Sequence, residues 1–200
     1  MLSTTPLVRV YARARLPSVH GLLEIVSFTD AAGRRLDDVA LVCGEVEGAA
    51  EVPTRVHSEC LTGDVFGSLR CDCRDQLDLA LDRIAADHFG VILYMRQEGR
   101  GIGIAEKVRA YELQDHGFDT LEANLHLGFD GDMRRYDIAA AMLHALEIES
   151  IVLHTNNPAK VEGLRANGIE VVRREAIVSE PRDENVRYLR TKKAKMGHEL

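Results

Sequence analysis

The chain has four cysteines, Cys43, Cys60, Cys71 and Cys73. Cys71 and Cys73 are one residue apart between two arginines, and this polar, basic setting favours the thiolate form over a buried thiol. Cys60 precedes them in a glycine-containing segment that can fold back toward them. Cys43 lies in an apolar run and is predicted to be a packed core residue. Three of the four cysteines are therefore candidates for chemistry.

Thiolates are soft ligands that suit zinc, and three protein ligands with an open fourth position are typical of a catalytic zinc site. Two alternatives remain open from the spacing alone. The cysteines could be unliganded thiols, or His57 could be a fourth ligand that closes a structural site. A redox disulfide is less expected than a metal in a chain with no sign of secretion.

A second candidate feature is a glycine loop, in which Gly99, Gly101 and Gly103 alternate around Arg100 before a predicted helix. Free backbone N–H groups at such a loop, together with an arginine, can hold phosphate oxygens. No Gly-Lys-Ser/Thr follows, so the loop is not a Walker A motif. By itself the pattern is equally compatible with a simple turn.

Two more pairs of polar residues have suggestive spacing. Asp132 and Arg134 would point the same way from an extended segment, although a surface ion pair is the simpler interpretation. Thr155 and Lys160 flank a predicted helix start, which would make an anion site. Thr155 or Asn156 is predicted to cap that helix, and capping alone would also explain them.

Composition restricts the function class. The formal net charge is -7, the isoelectric point is about 5.6 and aromatic residues make up 5%. This acidic balance argues against nucleic acid as a partner, because nucleic-acid binding depends on cationic side chains and stacking platforms. No apolar run approaches the ~20 residues of a membrane span, and the first residues do not resemble a signal peptide. We therefore expect a cytoplasmic protein without a membrane partner.

The pattern of apolar residues predicts an α/β (mixed) fold: a sheet with helices on both faces plus a β-rich N-terminal lobe. A single domain over 1–200 is expected, with the β-rich lobe at about 1–70, an α/β lobe at about 71–180 and a charged tail at 181–200 that ends in a helix. Strands are predicted at 7–14, 21–28, 39–46, 52–56, 91–94, 151–154 and 169–172, and helices at 76–90, 104–115, 137–146 and 158–166.

Several of these segments, in order, closely resemble the GTP cyclohydrolase II family, over roughly residues 7–198. The chain departs from the usual family pattern at Ile104, Glu106 and the pair Glu147-Ile148, which are helix or turn positions. The matching segments are Arg55-Val56-His57-Ser58-Glu59-Cys60-Leu61-Thr62-Gly63-Asp64, Ser68-Leu69-Arg70-Cys71-Asp72-Cys73, Arg96-Gln97-Glu98-Gly99-Arg100-Gly101-Ile102-Gly103, Ala110-Tyr111-Glu112-Leu113-Gln114-Asp115, Asp119-Thr120, Glu122-Ala123-Asn124, Leu127-Gly128-Phe129, Asp132-x-Arg134, Thr155-Asn156-Asn157-Pro158-x-Lys160 and Thr191-Lys192-x-x-Lys195-Met196-Gly197-His198.

The resemblance implies a reaction and a metal. GTP would lose C8 of its imidazole ring as formate and its two outer phosphates as pyrophosphate, giving 2,5-diamino-6-(5-phosphoribosylamino)pyrimidin-4-one, the first step of riboflavin biosynthesis. One Zn2+ per subunit would be held by Cys60, Cys71 and Cys73 and would activate the attacking water. Mg2+ would accompany the triphosphate. A homodimer is also implied.

The resemblance further assigns roles to individual residues. Tyr111 would orient the water or donate a proton to the ring. Asp132 would be a proton acceptor and Arg134 a nucleophile at the α-phosphate, although electrostatic stabilisation would explain Arg134 equally well, since guanidinium is a poor nucleophile. The substrate-binding residues would be Arg55, Val56, His57, Ser58, Glu59, Gln76, Glu98, Gly99, Arg100, Thr120, Thr155 and Lys160.

Two other functions compete with this one. A paralogue could open the ring but retain the formyl group, or serve a pathway other than riboflavin synthesis. Alternatively, the chain could be a zinc-stabilised module that binds guanine nucleotides without turnover. Product analysis distinguishes all three.

Overall fold

Seven strands form a single mixed sheet in the computed structural model, which describes residues 8–130, 132–186, 188, 190 and 193. The sheet order is β1-β2-β3-β5-β4-β6-β7. Neighbours from β1 to β5 pair antiparallel, whereas β5, β4, β6 and β7 pair parallel. The N-terminal strands therefore continue the same sheet as the later ones. The strands are β1 (Arg9–Ser18), β2 (Gly21–Thr29), β3 (Arg35–Cys43), β4 (Val52–Ser58), β5 (Gly90–Met95), β6 (Ser150–His154) and β7 (Glu170–Glu175).

Helices cover both faces of this sheet, which confirms the predicted α/β class. On β5, Val91 and Leu93 pack in one buried cluster with helices α4 and α5, while Ile92 packs in a second cluster with α1. This division follows from the period of two along a strand, which sends alternate side chains to opposite faces. The helices are α1 (Cys73–Ala86), α2 (Gly103–Asp115), α3 (Thr120–His126), α4 (Asp137–Ala145) and α5 (Pro158–Ala166). Cys43 packs in the second cluster, as predicted.

The predicted elements and the observed ones differ at a few boundaries. Strand β3 begins at Arg35 and ends at Cys43 rather than spanning 39–46, because Gly44 follows with a φ of 76° that extended backbone does not adopt. Helix α3 was not predicted. It begins after Asp119, whose side chain accepts the N–H groups of Leu121 and Glu122, while the Glu122 carboxylate accepts the N–H of Asp119. This capping box stabilises a helix too short to show an apolar period.

The tail is described only in part. The predicted C-terminal helix, and the segment 191–198 that resembles the family, lie mostly outside the described residues. Within the described part of the chain, no helix has both the length and the apolar character needed to cross a membrane.

The functional segments meet at one edge of the sheet. Strands β4, β5 and β6 run parallel, so their carboxyl ends share that edge. The segment after β4 carries the cysteines, the segment after β5 carries the glycine loop (Glu98–Gly101), and the segment after β6 carries 155–157. Ligands of open α/β sheets commonly bind at this edge, because the loops that follow parallel strands converge there.

Candidate metal and nucleotide site

The three candidate zinc ligands come together in the cysteine loop (residues 59–73), which joins β4 to α1. The sulfur atoms of Cys60, Cys71 and Cys73 all lie within 4.8 Å of one another, with Cys60 and Cys71 3.6 Å apart. Cys60 and Cys71 are buried. Hydrogen bonds from the other two thiols, and then the ammonium of Lys107, hold the pKa of Cys60 well below its ordinary value. The hydrogen bonds to Cys60 raise the pKa values of Cys71 and Cys73 instead, so in the absence of a metal the negative charge of the cluster lies on Cys60.

Gly63 shapes the space around these sulfurs. It lies in a single helical turn, Leu61–Val65, that folds the loop back over the cysteines. A Cβ at position 63 would lie 3.0 Å from Sγ of Cys71 and 3.1 Å from Sγ of Cys60. A side chain at position 63 would therefore crowd the space that the sulfur atoms share.

The donor set fits zinc with an open coordination position. Three soft sulfur donors at close range are the ligands that zinc prefers. Among the residues that the structure describes, no histidine or carboxylate joins the group. His57 in particular is engaged elsewhere, because its Nε2 lies 3.0 Å from Oδ2 of Asp64. The geometry therefore favours the three-ligand arrangement over a site closed by His57.

Asp64 organises the start of the cysteine loop. Its buried Oδ2 accepts hydrogen bonds from the Cys60 backbone N–H at 2.9 Å and from the Tyr94 hydroxyl at 2.9 Å, in addition to the contact with His57. Burial lowers the pKa of His57 despite the Asp64 contact, which raises it. One carboxylate thus links Cys60 to β4 and β5. The sequence motif contained Asp64, but nothing in its spacing indicated this role.

Lys107 is a buried cation that contacts the cysteine cluster directly. Its Nζ lies 3.1 Å from Sγ of Cys60 and 2.8 Å from Oε1 of Glu98. Burial would lower the pKa of Lys107, but the Cys60 sulfur and Glu98 raise it further than burial lowers it. Sequence reasoning missed this residue. Lys107 lies four residues before Tyr111 on α2, and so on the same helix face. This spacing was the signal in the sequence that could have identified it as a site residue.

Tyr111 lies beside the cluster between two cations. Its hydroxyl is 3.2 Å from the Thr62 hydroxyl, and the Arg70 guanidinium lies 4.9 Å from the ring centroid. Lys107 Nζ lies 5.6 Å from the same centroid. Burial is the main reason that the pKa of Tyr111 rises to about 12. The phenol is therefore protonated at neutral pH and can donate a hydrogen bond.

These groups line one open cleft, with an empty volume of about 1100 Å³ that includes space open to solvent. Two residues that the resemblance assigned do not line it. The Val56 side chain packs in the core, and Asp132 reaches the cleft only through its partner Arg134. Predicted residues that line the cleft are Arg55, His57, Ser58, Glu59, Cys60, Cys71, Cys73, Gln76, Glu98, Gly99, Arg100, Tyr111, Thr120, Arg134, Thr155 and Lys160, and unpredicted ones include Arg70, Ile102, Lys107, Asn124, Asn156 and Asn157.

Arg55 is held rigidly at the cleft wall. It donates to Oε1 of Gln76 at 2.6 Å and to the His154 carbonyl at 3.1 Å, while Gln76 donates to Asp72 at 2.5 Å. Burial lowers the pKa of Arg55 to about 10, so the guanidinium remains charged at neutral pH. Hydrogen bonds to Arg55 and Asp72 therefore hold the side-chain amide of Gln76 in place. Both partners belong to segments that resemble the family, 55–64 and 68–73.

The glycine loop has an unusual backbone. Gly99 and Arg100 both have left-handed conformations, with φ of 62° and 65°. Gly101 has φ of 95°, and a Cβ there would lie 3.1 Å from the Met133 carbonyl oxygen. Left-handed backbone at a non-glycine residue is strained and concentrates at functional sites. The turn also holds the neighbouring segment, because Met133 donates its N–H to the Arg100 carbonyl at 3.0 Å.

Asp132 and Arg134 form a close ion pair, of which Arg134 lines the cleft. The Arg134 Nε lies 2.8 Å from Oδ1 of Asp132, and its Nη2 contacts Oδ2. Burial would raise the pKa of Asp132, but the bonds from Arg134 bring it below its ordinary value. The pKa of Arg134 is raised because the bond to Asp132 outweighs burial. Both shifts oppose the transfer of a proton from Arg134 to Asp132.

The start of α5 differs from the predicted cap. Asn157 caps the helix, and its side chain accepts the N–H of Ala159 at 3.1 Å. The prediction that Thr155 or Asn156 is the cap is therefore wrong: Thr155 accepts the N–H of Asn157, and Asn156 bonds the backbone of Ile177. The cap lies at Asn157 because Pro158 takes the first helical position, so the residue directly before it is the N-cap.

Lys160 points from this helix back to β4. Its Nζ donates to the Val56 carbonyl at 2.6 Å and is buried. Val56 therefore takes part in the site through its backbone, although its side chain does not.

Comparison with known proteins agrees with this geometry. The family model described as GTP cyclohydrolase II matches residues 9–176. The chain belongs to the GTP cyclohydrolase II family. Within that family, it is 48% identical to GTP cyclohydrolase-2 of Picrophilus torridus over 192 residues, which cover 96% of this chain and 99% of that protein.

Other relatives are longer. The chain is 50% identical to the riboflavin biosynthesis protein RibBA of Salinispora tropica and 49% identical to that of Endomicrobium trichonymphae. The matches cover 96% and 92% of this chain but only 48% and 46% of those proteins. The chain thus spans about half the length of these relatives and nearly all of the Picrophilus protein.

Proposed function

We propose that this chain is a zinc-dependent GTP cyclohydrolase II that acts in riboflavin biosynthesis. The observation that carries the proposal is the convergence, in one cleft, of three clustered cysteine sulfurs and the cationic side chains Arg55, Arg100, Arg134 and Lys160. The sulfur cluster suits a catalytic metal, and the cations suit the negative charge of a nucleoside triphosphate. This combination supports metal-dependent hydrolysis of a nucleoside triphosphate, and the family to which the chain belongs points to GTP.

The site residues have distinct roles in opening the ring. When bound by Cys60, Cys71 and Cys73, zinc supplies the Lewis acidity that makes water a strong nucleophile near neutral pH. Tyr111 is protonated and adjacent, so it donates a hydrogen bond to the ring or to the attacking water. His57, Glu59 and Gln76 line the cleft wall, and we propose that they contact the base; the hydrogen bonds of His57 and Gln76 limit their movement.

Arg134 acts electrostatically in the proposed loss of pyrophosphate. A guanidinium whose charge is stabilised by Asp132 is a poor nucleophile, because attack requires the neutral form. The same charge stabilises negative charge that develops at the α-phosphate. Asp132 orients Arg134 through two contacts. The ion pair therefore supports the electrostatic role over a covalent guanylyl intermediate.

The substrate contacts follow from the remaining cleft residues. Arg100 presents a cation to phosphate oxygens from the glycine loop, where the Gly99 N–H is already bonded to Glu98. Thr155 and Lys160 lie by the start of α5. Ser58, Glu98 and Thr120 complete the wall. We further propose one zinc ion per subunit, Mg2+ on the substrate triphosphate, a homodimeric assembly and a cytoplasmic location, with neither nucleic acid nor a membrane as partner.

The test is to incubate the purified chain with GTP, Zn2+ and Mg2+ and to follow formate, pyrophosphate and product mass. The proposed function requires formate and the diaminopyrimidine together. Formyl-retaining product would identify the specialised paralogue instead. Intact GTP bound to a zinc-loaded protein would identify a binding module and would overturn the proposal.

A further inference from the structure

A buried ammonium joins the two loops that build the cleft. Lys107 donates to the sulfur of Cys60, in the cysteine loop, and to Oε1 of Glu98, in the glycine loop. The second Glu98 oxygen, Oε2, accepts a hydrogen bond of 2.6 Å from the backbone N–H of Leu61, the residue after Cys60. Lys107 and Glu98 therefore hold the cysteine loop at two adjacent points, the Cys60 sulfur and the Leu61 backbone N–H.

The surroundings make this contact strong. The Lys107 side chain is 11% exposed and that of Glu98 is 8% exposed. Hydrogen bonds to ionised acceptors gain strength where water is excluded. Oε1 of Glu98 also accepts the Gly99 N–H at 2.7 Å, so the carboxylate is fixed by donors from both loops. Lys107 thus has a defined position relative to the cluster.

Charge balance explains why a cation belongs there. Three thiolates around a divalent ion leave one net negative charge, which is costly to hold in a buried site without compensation. Glu98 balances the formal charge of Lys107, so the compensation is local: the ammonium is the charged group that contacts the Cys60 sulfur, at 3.1 Å. A hydrogen bond to a thiolate also withdraws electron density from the sulfur, which preserves the Lewis acidity of the bound ion.

We propose that Lys107, fixed by Glu98, is a positioning residue of the zinc centre: its ammonium stabilises the Cys60 thiolate as a ligand and tunes how much electron density that sulfur gives the metal. The proposal rests on the proposed function for the identity of the metal. Partners outside the ligand set typically change metal affinity by about 10- to 100-fold when they are removed.

The experiment compares wild type with Lys107→Met, Lys107→Gln and Lys107→Arg. Zinc affinity is measured by competition with a chromophoric chelator, and the Co2+-substituted proteins are examined for their sulfur-to-cobalt charge-transfer absorption. We expect Lys107→Met to bind zinc about 10- to 100-fold more weakly and to shift the charge-transfer band to longer wavelength. Lys107→Arg restores most of both properties, because it keeps a charged donor.

Lys160→Met is the matched control. Lys160 is also a buried, cleft-lining lysine on a helix, but its Nζ donates to the Val56 carbonyl rather than to a sulfur. Its variant should leave the cobalt spectrum and the zinc affinity unchanged. Lys107→Gln keeps a hydrogen-bond donor but has no charge, so it separates the effect of the hydrogen bond from that of the charge. It also provides the test if Lys107→Met does not fold.

The outcomes separate this inference from the proposed function. If the folded Lys107→Met and Lys107→Gln proteins match wild type in both zinc affinity and cobalt spectrum, the inference is overturned, whatever the activity of wild type. If wild type releases no formate from GTP while the two variants still weaken zinc binding and shift the band, the proposed function fails and the role of Lys107 stands.

Discussion

Replacing Gly63 with alanine tests how closely the cysteine loop is fitted to a metal. Position 63 does not have a left-handed backbone, so alanine meets no conformational barrier there. The added methyl carbon would lie 3.0 Å from Sγ of Cys71, 3.1 Å from Sγ of Cys60 and 3.2 Å from Cβ of Cys73. Ordinary contacts between non-bonded heavy atoms are about 3.5–4.0 Å. The methyl group therefore intrudes by roughly 0.3–0.5 Å on all three cysteines.

The magnitude follows from the cost of overpacking. Adding a methyl group to a well-packed site costs about 1–3 kcal/mol. The sulfur atoms have least freedom to move when they hold a metal ion. The overpacking cost therefore destabilises the zinc-bound protein more than the metal-free protein. Since each 1.4 kcal/mol corresponds to a factor of about ten, we expect the zinc dissociation constant to rise by roughly 5- to 150-fold.

The assay is chelator competition for zinc, with thermal unfolding of the metal-free protein measured alongside. Gly33→Ala provides the control: it lies in a surface turn with φ of 77° and has nothing within 4 Å of an added Cβ. That variant should lose stability through backbone strain and keep wild-type zinc affinity. A folded Gly63→Ala protein with wild-type zinc affinity would refute the close fit of the loop around the metal.

Further predictions concern the ligands, the acid–base residues and stability. Cys71→Ser should lose zinc, measured by elemental analysis, and formate release, while pyrophosphate release continues; retained zinc would contradict the ligand assignment. Tyr111→Phe should keep its zinc but release formate roughly 100-fold more slowly, the lower range for removing a positioned proton donor; unchanged formate release would exclude that role. Arg134→Gln should slow pyrophosphate release by roughly 100- to 1,000-fold, as for loss of a transition-state donor, and trapping of a guanylylated wild-type chain would contradict a purely electrostatic role. Burial lowers the pKa of both His57 and His154 in the folded chain. Below about pH 6.5 the unfolded chain therefore binds protons that the folded chain does not. The free energy of unfolding should then fall by up to ~1.4 kcal/mol per pH unit for each histidine. Urea unfolding at pH 7.5 and 5.5 should show a smaller loss in His154→Gln than in wild type, and equal losses would contradict this assignment.

Local patterns predicted most of the secondary structure, because the residues that begin and end elements act on their neighbours in sequence. The Pro158 start and the Asn167-Gly168 end of α5 are examples, and the helix has the predicted bounds. The prediction of its cap was wrong because three adjacent polar residues could each have served, and only Asn157 stands directly before Pro158. Helix α3 was missed because a seven-residue helix shows too few turns for an apolar period.

The cluster around the cysteines shows the limit of spacing arguments. The sequence indicated the thiolate chemistry of Cys60, Cys71 and Cys73 but left a fourth ligand open. The fold removes His57 from consideration by pairing it with Asp64. It also brings Lys107, 47 positions after Cys60, within hydrogen-bonding distance of a sulfur. A contact between residues that far apart depends on how helix α2 packs, which no local pattern encodes.

By itself, the sequence determined the alternation of strands and helices, the kinds of donor atom available and the family to which their order belongs, since these depend on residue type and on short-range spacing. The tertiary structure decided which donors share a cleft, which side chains are held by ion pairs and which cation compensates the sulfur charge. The physical reason is that the parallel order of β4, β5 and β6 brings three distant loops to one edge of the sheet. Burial at that edge then shifts the pKa values of individual groups there, such as Arg55, His57 and Tyr111.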